Sequence, residues 1–126
     1  MREILFRGKR VSDGEWVYGN LFIPDREDTP TQICIGTSII RITYDVIPET
    51  VGQYTGLKDK NDKRIFEWDV VKTSHKNGVI EWCDYCASFV VLCKGTFVTE
   101  NTLSGHEELE VIGNIHDNPE LLEDAK

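Results

Sequence analysis

Apolar residues recur at every second position over much of the chain, the period of a β-strand and not of a helix. Glu15–Ile23 reads as a strand with Trp16, Tyr18 and Phe22 on one face and Val17, Leu21 and Ile23 on the other, so cover is expected on both sides. Gln32–Ile35 is a short strand ended by Gly36. Ser38–Ile47 alternates more cleanly, with Ile40, Ile42, Tyr44 and Val46 on one face and Arg41, Thr43 and Asp45 on a wet one. Thr50–Leu57 and Ile65–Thr73 are apolar arms around the polar stretch Lys58–Arg64, which is the pattern of a hairpin. Val79–Tyr85 and Ala87–Cys93 form a further β-rich pair, followed by Thr96–Thr99 and a last strand at Glu107–Ile112.

Turn residues punctuate these runs. Ser12-Asp13-Gly14, Asn61-Asp62, Asn77-Gly78 and Lys94-Gly95 are expected turns, because Gly, Asn and Asp tolerate left-handed backbone. Residues 24–31 are polar with two prolines and read as an exposed, mobile loop, and Glu100–Gly105 is a polar loop or short helix. The one clear helix signal is C-terminal: Asn118 as N-cap, Pro119 at the first helical position, Glu120 near the positive helix end, and Leu121 and Leu122 to dock it.

Composition narrows the class. The chain has 126 residues, 40% hydrophobic and 29% charged, with a formal net charge of −8. Those proportions suit one globular domain and argue against wholesale disorder. The acids are concentrated from Gly105 onward, as a solvated tail or an acidic docking segment. A globally basic nucleic-acid binder is therefore not expected. No apolar run approaches the roughly 20 residues that span a bilayer, and the N-terminal residues lack the apolar core of an export signal. A cytoplasmic protein is expected, with Cys34, Cys83, Cys86 and Cys93 as free thiols.

Four blocks in order carry a family resemblance: Arg2-Glu3-Ile4 with Phe6-Arg7-Gly8, then Gly14–Gly19, then Pro48–Asn61 continuing through Ile65-Phe66-Glu67 and Asp69-Val70-Val71, and finally Val111–Ile115 with Asn118–Leu122. The chain resembles the YopX-like family of phage and prophage proteins across nearly its whole length, least at about 24–45 and 74–104. The resemblance implies a mainly β fold with a small SH3-like barrel component, additional hairpins and a short C-terminal helix. It also implies a phage or prophage origin in the bacterial host cytoplasm, and it carries no activity with it. This chain has Asp62 and Trp68 where the family tends to have Gly. A Gly at position 68 would serve a left-handed bend costing Trp about 1 kcal/mol or more, so either a changed bend or an exposed indole is expected.

Candidate chemistry is sparse. Cys83-Asp84-Tyr85-Cys86 has the spacing of half a zinc site, but residues three apart face opposite sides of a regular strand unless a turn intervenes, and no second paired motif exists. The same pair lacks the helix setting of a thioredoxin-type motif. His75, His106 and His116 show no nucleophile partner at a recognisable spacing. Lys58, Lys60, Lys63 and Arg64, with Tyr54 and Phe66 nearby for stacking, are candidates for single-strand nucleic-acid contact, as are Arg2, Arg7, Lys9 and Arg10. Trp68 joins the candidate binding residues. No catalytic constellation, cofactor or metal is expected. The preferred reading is a non-enzymatic binding or adaptor module with a protein partner and no membrane contact. The alternative is a nucleic-acid-linked accessory in phage replication or regulation. Self-association through strand edges is a further expectation. The chain is read as a single domain over 1–126, or as two intertwined β subunits, about 1–47 plus the C-terminal segment and about 48–104.

Overall fold

The computed structural model describes residues 3–37, 39–73, 77–93 and 109–123. The expected turn at Lys94-Gly95, the strand Thr96–Thr99, the stretch Glu100–Gly105, and His75, His106 and Arg2 lie outside the described residues. The protein is mainly β, with antiparallel pairing throughout and one short C-terminal helix. The chain divides into two compact units, 1–54 and 55–126.

The first unit contains β1 (Phe6–Lys9), β2 (Trp16–Phe22), β3 (Gln32–Gly36) and β4 (Arg41–Asp45) in the order β4-β3-β2-β1, with the start of β5 (Gly52–Lys58) beside β1. Asp13 makes the first turn, its Oδ1 accepting the Glu15 N–H at 3.0 Å while Gly14 takes a φ of 74°. The four-stranded part curls until the end of β4 meets the end of β1. Val11 N–H donates to the Asp45 carbonyl and Ile47 N–H to the Lys9 carbonyl, both at 2.9 Å. Buried Thr50 holds the return, accepting the Lys9 N–H at 2.9 Å and donating to the Ile47 carbonyl at 2.6 Å. Among the described residues this unit is a curled sheet whose β4 and β1 ends are joined by a single bridge.

Val17, Ile33 and Val46 form the core of this unit, with Phe6, Leu21, Tyr44 and Val51 packed against it. Two expectations are corrected here. β2 is covered on one side only, since Tyr18 and Phe22 are exposed. The apolar face of β4 is covered only at Tyr44 and Val46, while Ile40 and Ile42 are 73% and 53% exposed. Period-two alternation says which side chains share a face; cover depends on how far the sheet curls over that face.

The second unit contains the rest of β5 with β6 (Arg64–Phe66), and a four-stranded sheet in the order β10-β7-β8-β9. Its strands are β7 (Asp69–Lys72), β8 (Asn77–Cys83), β9 (Ser88–Cys93) and β10 (Glu110–Asn114). Ile65, Val71, Ile80, Val91 and Leu109 make its core. The expected hairpin around a polar tip is present as β5 and β6. Its second arm is not one strand, however: it breaks at Glu67-Trp68 into β6 and β7. Asn77-Gly78 is also corrected, from a turn to the first residues of β8, paired with Lys72 and Val71. Gly78 is suited to that place by close approach, because a Cβ there would lie 2.7 Å from Val91 Cγ1. Asn77 donates its side-chain amide to the Leu121 carbonyl at 2.9 Å, tying β8 to the helix α1 (Glu120–Glu123).

The helix begins where expected, with one difference. Asn118 Oδ1 accepts backward from the Asn114 N–H at 3.4 Å, and its main-chain carbonyl takes the Leu121 N–H at 3.1 Å. β10, the C-terminal strand, pairs with β7, so the C-terminal segment belongs with 55–126 and not with the N-terminal strands. Among the described residues no helix is long and apolar enough to cross a membrane.

The curl of the first unit brings β3 backbone against β2 at Gly19, where an added Cβ would overlap the Cys34 carbonyl oxygen. Backbone cannot yield as a side-chain tip can. Gly19→Ala is therefore expected to lower the unfolding free energy by about 1–3 kcal/mol, read from the denaturant midpoint. An unshifted midpoint would refute the close approach.

Candidate functional site

The polar hairpin tip is organised by one carboxylate. Asp59 is only 8% exposed, although it sits in the run Lys58–Arg64. Its Oδ1 accepts the N–H groups of Asn61 at 2.8 Å and Lys63 at 2.9 Å, closing the tip from within. Its Oδ2 accepts the Val111 N–H at 2.9 Å, which fastens the tip to β10. Lys60 N–H adds a bond to the Leu109 carbonyl at 2.9 Å. Burial alone pushes the Asp59 carboxyl up, but the N–H donors of Val111, Lys63 and Asn61 and the Lys63 charge outweigh it and hold it below its ordinary value. Asp62 completes the turn with a φ of 66°, as expected of Asn61-Asp62.

The cations of this tip are partly spoken for. Lys58 pairs with Asp62 at 3.7 Å and Lys60 with Glu110 at 3.9 Å, while Lys63 and Arg64 are exposed. Tyr54, expected as an exposed stacking ring, is 6% exposed, and Phe66 is buried as well. The stacking platform therefore does not form: alternation turned both rings into their own cores. The N-terminal cations are likewise engaged. Arg7 is buried with its guanidinium 4.7 Å from the Trp16 ring centroid, and Lys9 Nζ is 5.6 Å from the same ring. Arg10 forms a two-pronged pair with Asp13.

Trp68 resolves the expected alternative in a third way. Its φ is 75°, so the left-handed bend is kept, and its indole is half-buried. Main-chain bonds brace it: its N–H donates to the Ile80 carbonyl at 2.7 Å, and its carbonyl accepts the Ile115 N–H at 3.0 Å. Buried Asp69 accepts the Phe66 N–H on Oδ2 at 2.8 Å, spanning the two-residue turn.

Cys83 and Cys86 do converge. The turn over residues 84–87, between β8 and β9, supplies the reversal that a regular strand would not, with Ala87 at a φ of 51°. Cys86 N–H donates to Cys83 Sγ at 3.2 Å. The bonds from the Cys86 thiol and N–H lower the Cys83 thiol from its usual value, and donation to Cys83 raises that of Cys86. No disulfide joins them. Among the described residues no group of three or more His, Cys, Asp or Glu is placed to hold a metal ion.

One further surface was not foreseen. Ile35 and Ile42, paired across β3 and β4, are exposed on one face of the sheet and Phe22 on the other, while Ile39 and Ile40 are exposed just before β4, Ile39 at 90%. A recess of about 480 Å³ opens on the Phe22 face, lined by Phe22, Gln32, Cys34, Ile39, Arg41 and Thr43. The signal in the sequence is the run Ile39-Ile40 beside Ile42 on a strand that ends a sheet. Val46 N–H donates to the Thr31 carbonyl and Thr37 N–H to the Ile40 carbonyl, so even-numbered positions of β4 bond toward β3. By alternation the main-chain groups of Arg41 and Thr43 face the edge that no described strand covers.

These features define a mainly β protein of two units whose notable groups sit at hairpin ends and along one strand edge. The chain belongs to the YopX family: the family described as YopX protein matches residues 5–123. No curated protein matches it. Among solved structures it is similar to that described as protein EF1440 from Enterococcus faecalis. The identity is 23%, the TM-score is 0.57, and the match covers 97% of this chain and 99% of that one, a likeness of fold.

Two outcomes follow from the hairpin. At position 68, replacement by Gly should leave the protein about 1 kcal/mol more stable than replacement by Ala, since both remove the indole and only Ala resists the positive φ; equal stabilities would refute the bend. Asp59→Asn keeps the bonds to Asn61 and Lys63 but turns a donor toward the Val111 N–H, and should cost about 1–3 kcal/mol. Because the carboxyl titrates lower folded than unfolded, its contribution is full at neutral pH and fades as pH falls below the ordinary carboxylate value toward the folded one. Melting curves across that range should therefore slope less for Asp59→Asn than for the native chain.

Proposed function

We propose that this protein is a non-enzymatic binding or adaptor module, of phage or prophage origin and acting in the bacterial cytoplasm. Its contact surface is the exposed apolar face at the ends of β3 and β4, and its partner is a protein that presents an extended apolar segment. The observation that carries this reading is the exposure of Ile35 and Ile42, paired on one face of β3 and β4, with Ile40 beside them at the edge strand. Contiguous apolar surface rimmed by polar groups is characteristic of interaction sites. The edge at Arg41 and Thr43, which no described strand covers, adds main-chain donors and acceptors that an incoming strand can use for affinity while Ile35 and Ile42 meet its apolar side chains.

The nucleic-acid reading is less well supported. Lys58 and Lys60 each have an acidic neighbour in ion-pair range, and the rings that would stack bases are buried.

The test uses the full chain against phage-bearing host extract, comparing native protein with Ile40→Asp/Ile42→Asp. Both side chains are exposed, so the thermal midpoint should stay nearly unchanged. A partner retained by the native protein in fixed ratio should be lost by the variant. Equal recovery of the same partner by both would overturn this surface.

A further inference from the structure

The β8–β9 hairpin end carries an arrangement that the binding surface does not use. Cys83 is the last residue of β8 and pairs with Ser88, the first of β9, leaving residues 84–87 as the turn between them. Within that turn the chain folds back so that Cys86 N–H reaches Cys83 Sγ at 3.2 Å. Ala87, directly after the second cysteine, takes the left-handed φ of 51° that completes the reversal. Such a φ is uncommon for a residue with a Cβ, so the loop keeps this shape against local preference.

Three neighbours leave the sulfurs open. Tyr85, between the two cysteines, is 96% exposed and points away into solvent. Asp84 accepts the Trp82 indole N–H at 2.7 Å, which fixes its carboxylate. Trp82 in turn packs edge-on against Phe89, with centroids 5.1 Å apart, giving the hairpin end a rigid base. Both cysteines are part-exposed and joined by no disulfide.

Two thiols at a spacing of three, brought to one side by a tight turn, with a backbone N–H aimed at the first sulfur, make a preformed bidentate soft-ligand pair. Soft thiolates select thiophilic ions, and hydrogen bonds to a ligating sulfur orient and tune it. We propose that Cys83 and Cys86 form a two-thiolate site that takes a thiophilic divalent metal ion of the zinc and cadmium class, with its remaining coordination positions open to solvent. Binding forms two metal–sulfur bonds and releases the two thiol protons, with no change of oxidation state.

Cadmium(II) titration of the reduced full chain tests this through the thiolate-to-metal charge-transfer absorption. The native protein should develop the band and release protons in step with it. Cys34→Ser/Cys93→Ser should retain the band. Cys83→Ser and Cys86→Ser singly should weaken binding at least about tenfold, and together should abolish the band. The proposal is overturned if the native protein gives no band, or if the band survives in Cys83→Ser/Cys86→Ser. Tryptophan fluorescence and melting curves of each variant confirm that it is folded.

Discussion

The Asp59 carboxylate ties together segments that are 52 positions apart in the chain. Its Oδ1 shapes the tip between β5 and β6, and its Oδ2 sets where β10 begins to run alongside β7. Without that acceptor the Val111 N–H would be left without its partner, and β10 would lose the anchor nearest its start. A buried carboxylate is tolerable only when its lone pairs are filled, and here backbone N–H groups fill them. The tip is therefore not a solvated protrusion. It is a docked turn, and its position constrains the second unit from within.

A second constraint follows a few residues later. Trp68 holds a left-handed backbone that its side chain disfavours, braced by hydrogen bonds to Ile80 and Ile115 and by Asp69 across the turn. Strain of this kind persists only where the surroundings over-determine it. That bend divides what alternation reads as one strand, Ile65–Thr73, into β6 and β7. The pattern of Ile65, Val70 and Val71 reveals the burial correctly, since all three are buried. It cannot reveal the break, because the bend residue is a tryptophan and local preference gives no cue.

The same division between the legible and the illegible runs through the rest of the molecule. The Asp13-Gly14 turn, the Asn61-Asp62 turn, the hairpin arms and the C-terminal helix are local, and their residues announce them. Tyr54 and Phe66 are buried, and Ile40 and Ile42 exposed, because exposure depends on which face the finished sheet covers. Asn77-Gly78 carries strong turn chemistry, yet both residues lie in β8, with Gly78 meeting the close approach of Val91 and Asn77 binding α1. In each case a non-local contact overrode a sound local preference.

The cysteine pair shows how such an override can create chemistry as well as shape. In an uninterrupted strand Cys83 and Cys86 would stand on opposite faces, and spacing alone would give two unrelated thiols. The turn places them together because β8 and β9 pair in register from Gly78–Cys93 through Cys83–Ser88, leaving four residues to cross between the strands. A shift of one residue in that register would move Cys83 to the other face of the sheet and dissolve the pair. The register is fixed in turn by Val79, Ile80, Val90 and Val91, all buried within the second unit. The geometry of an exposed hairpin end is thus set by apolar packing in the interior.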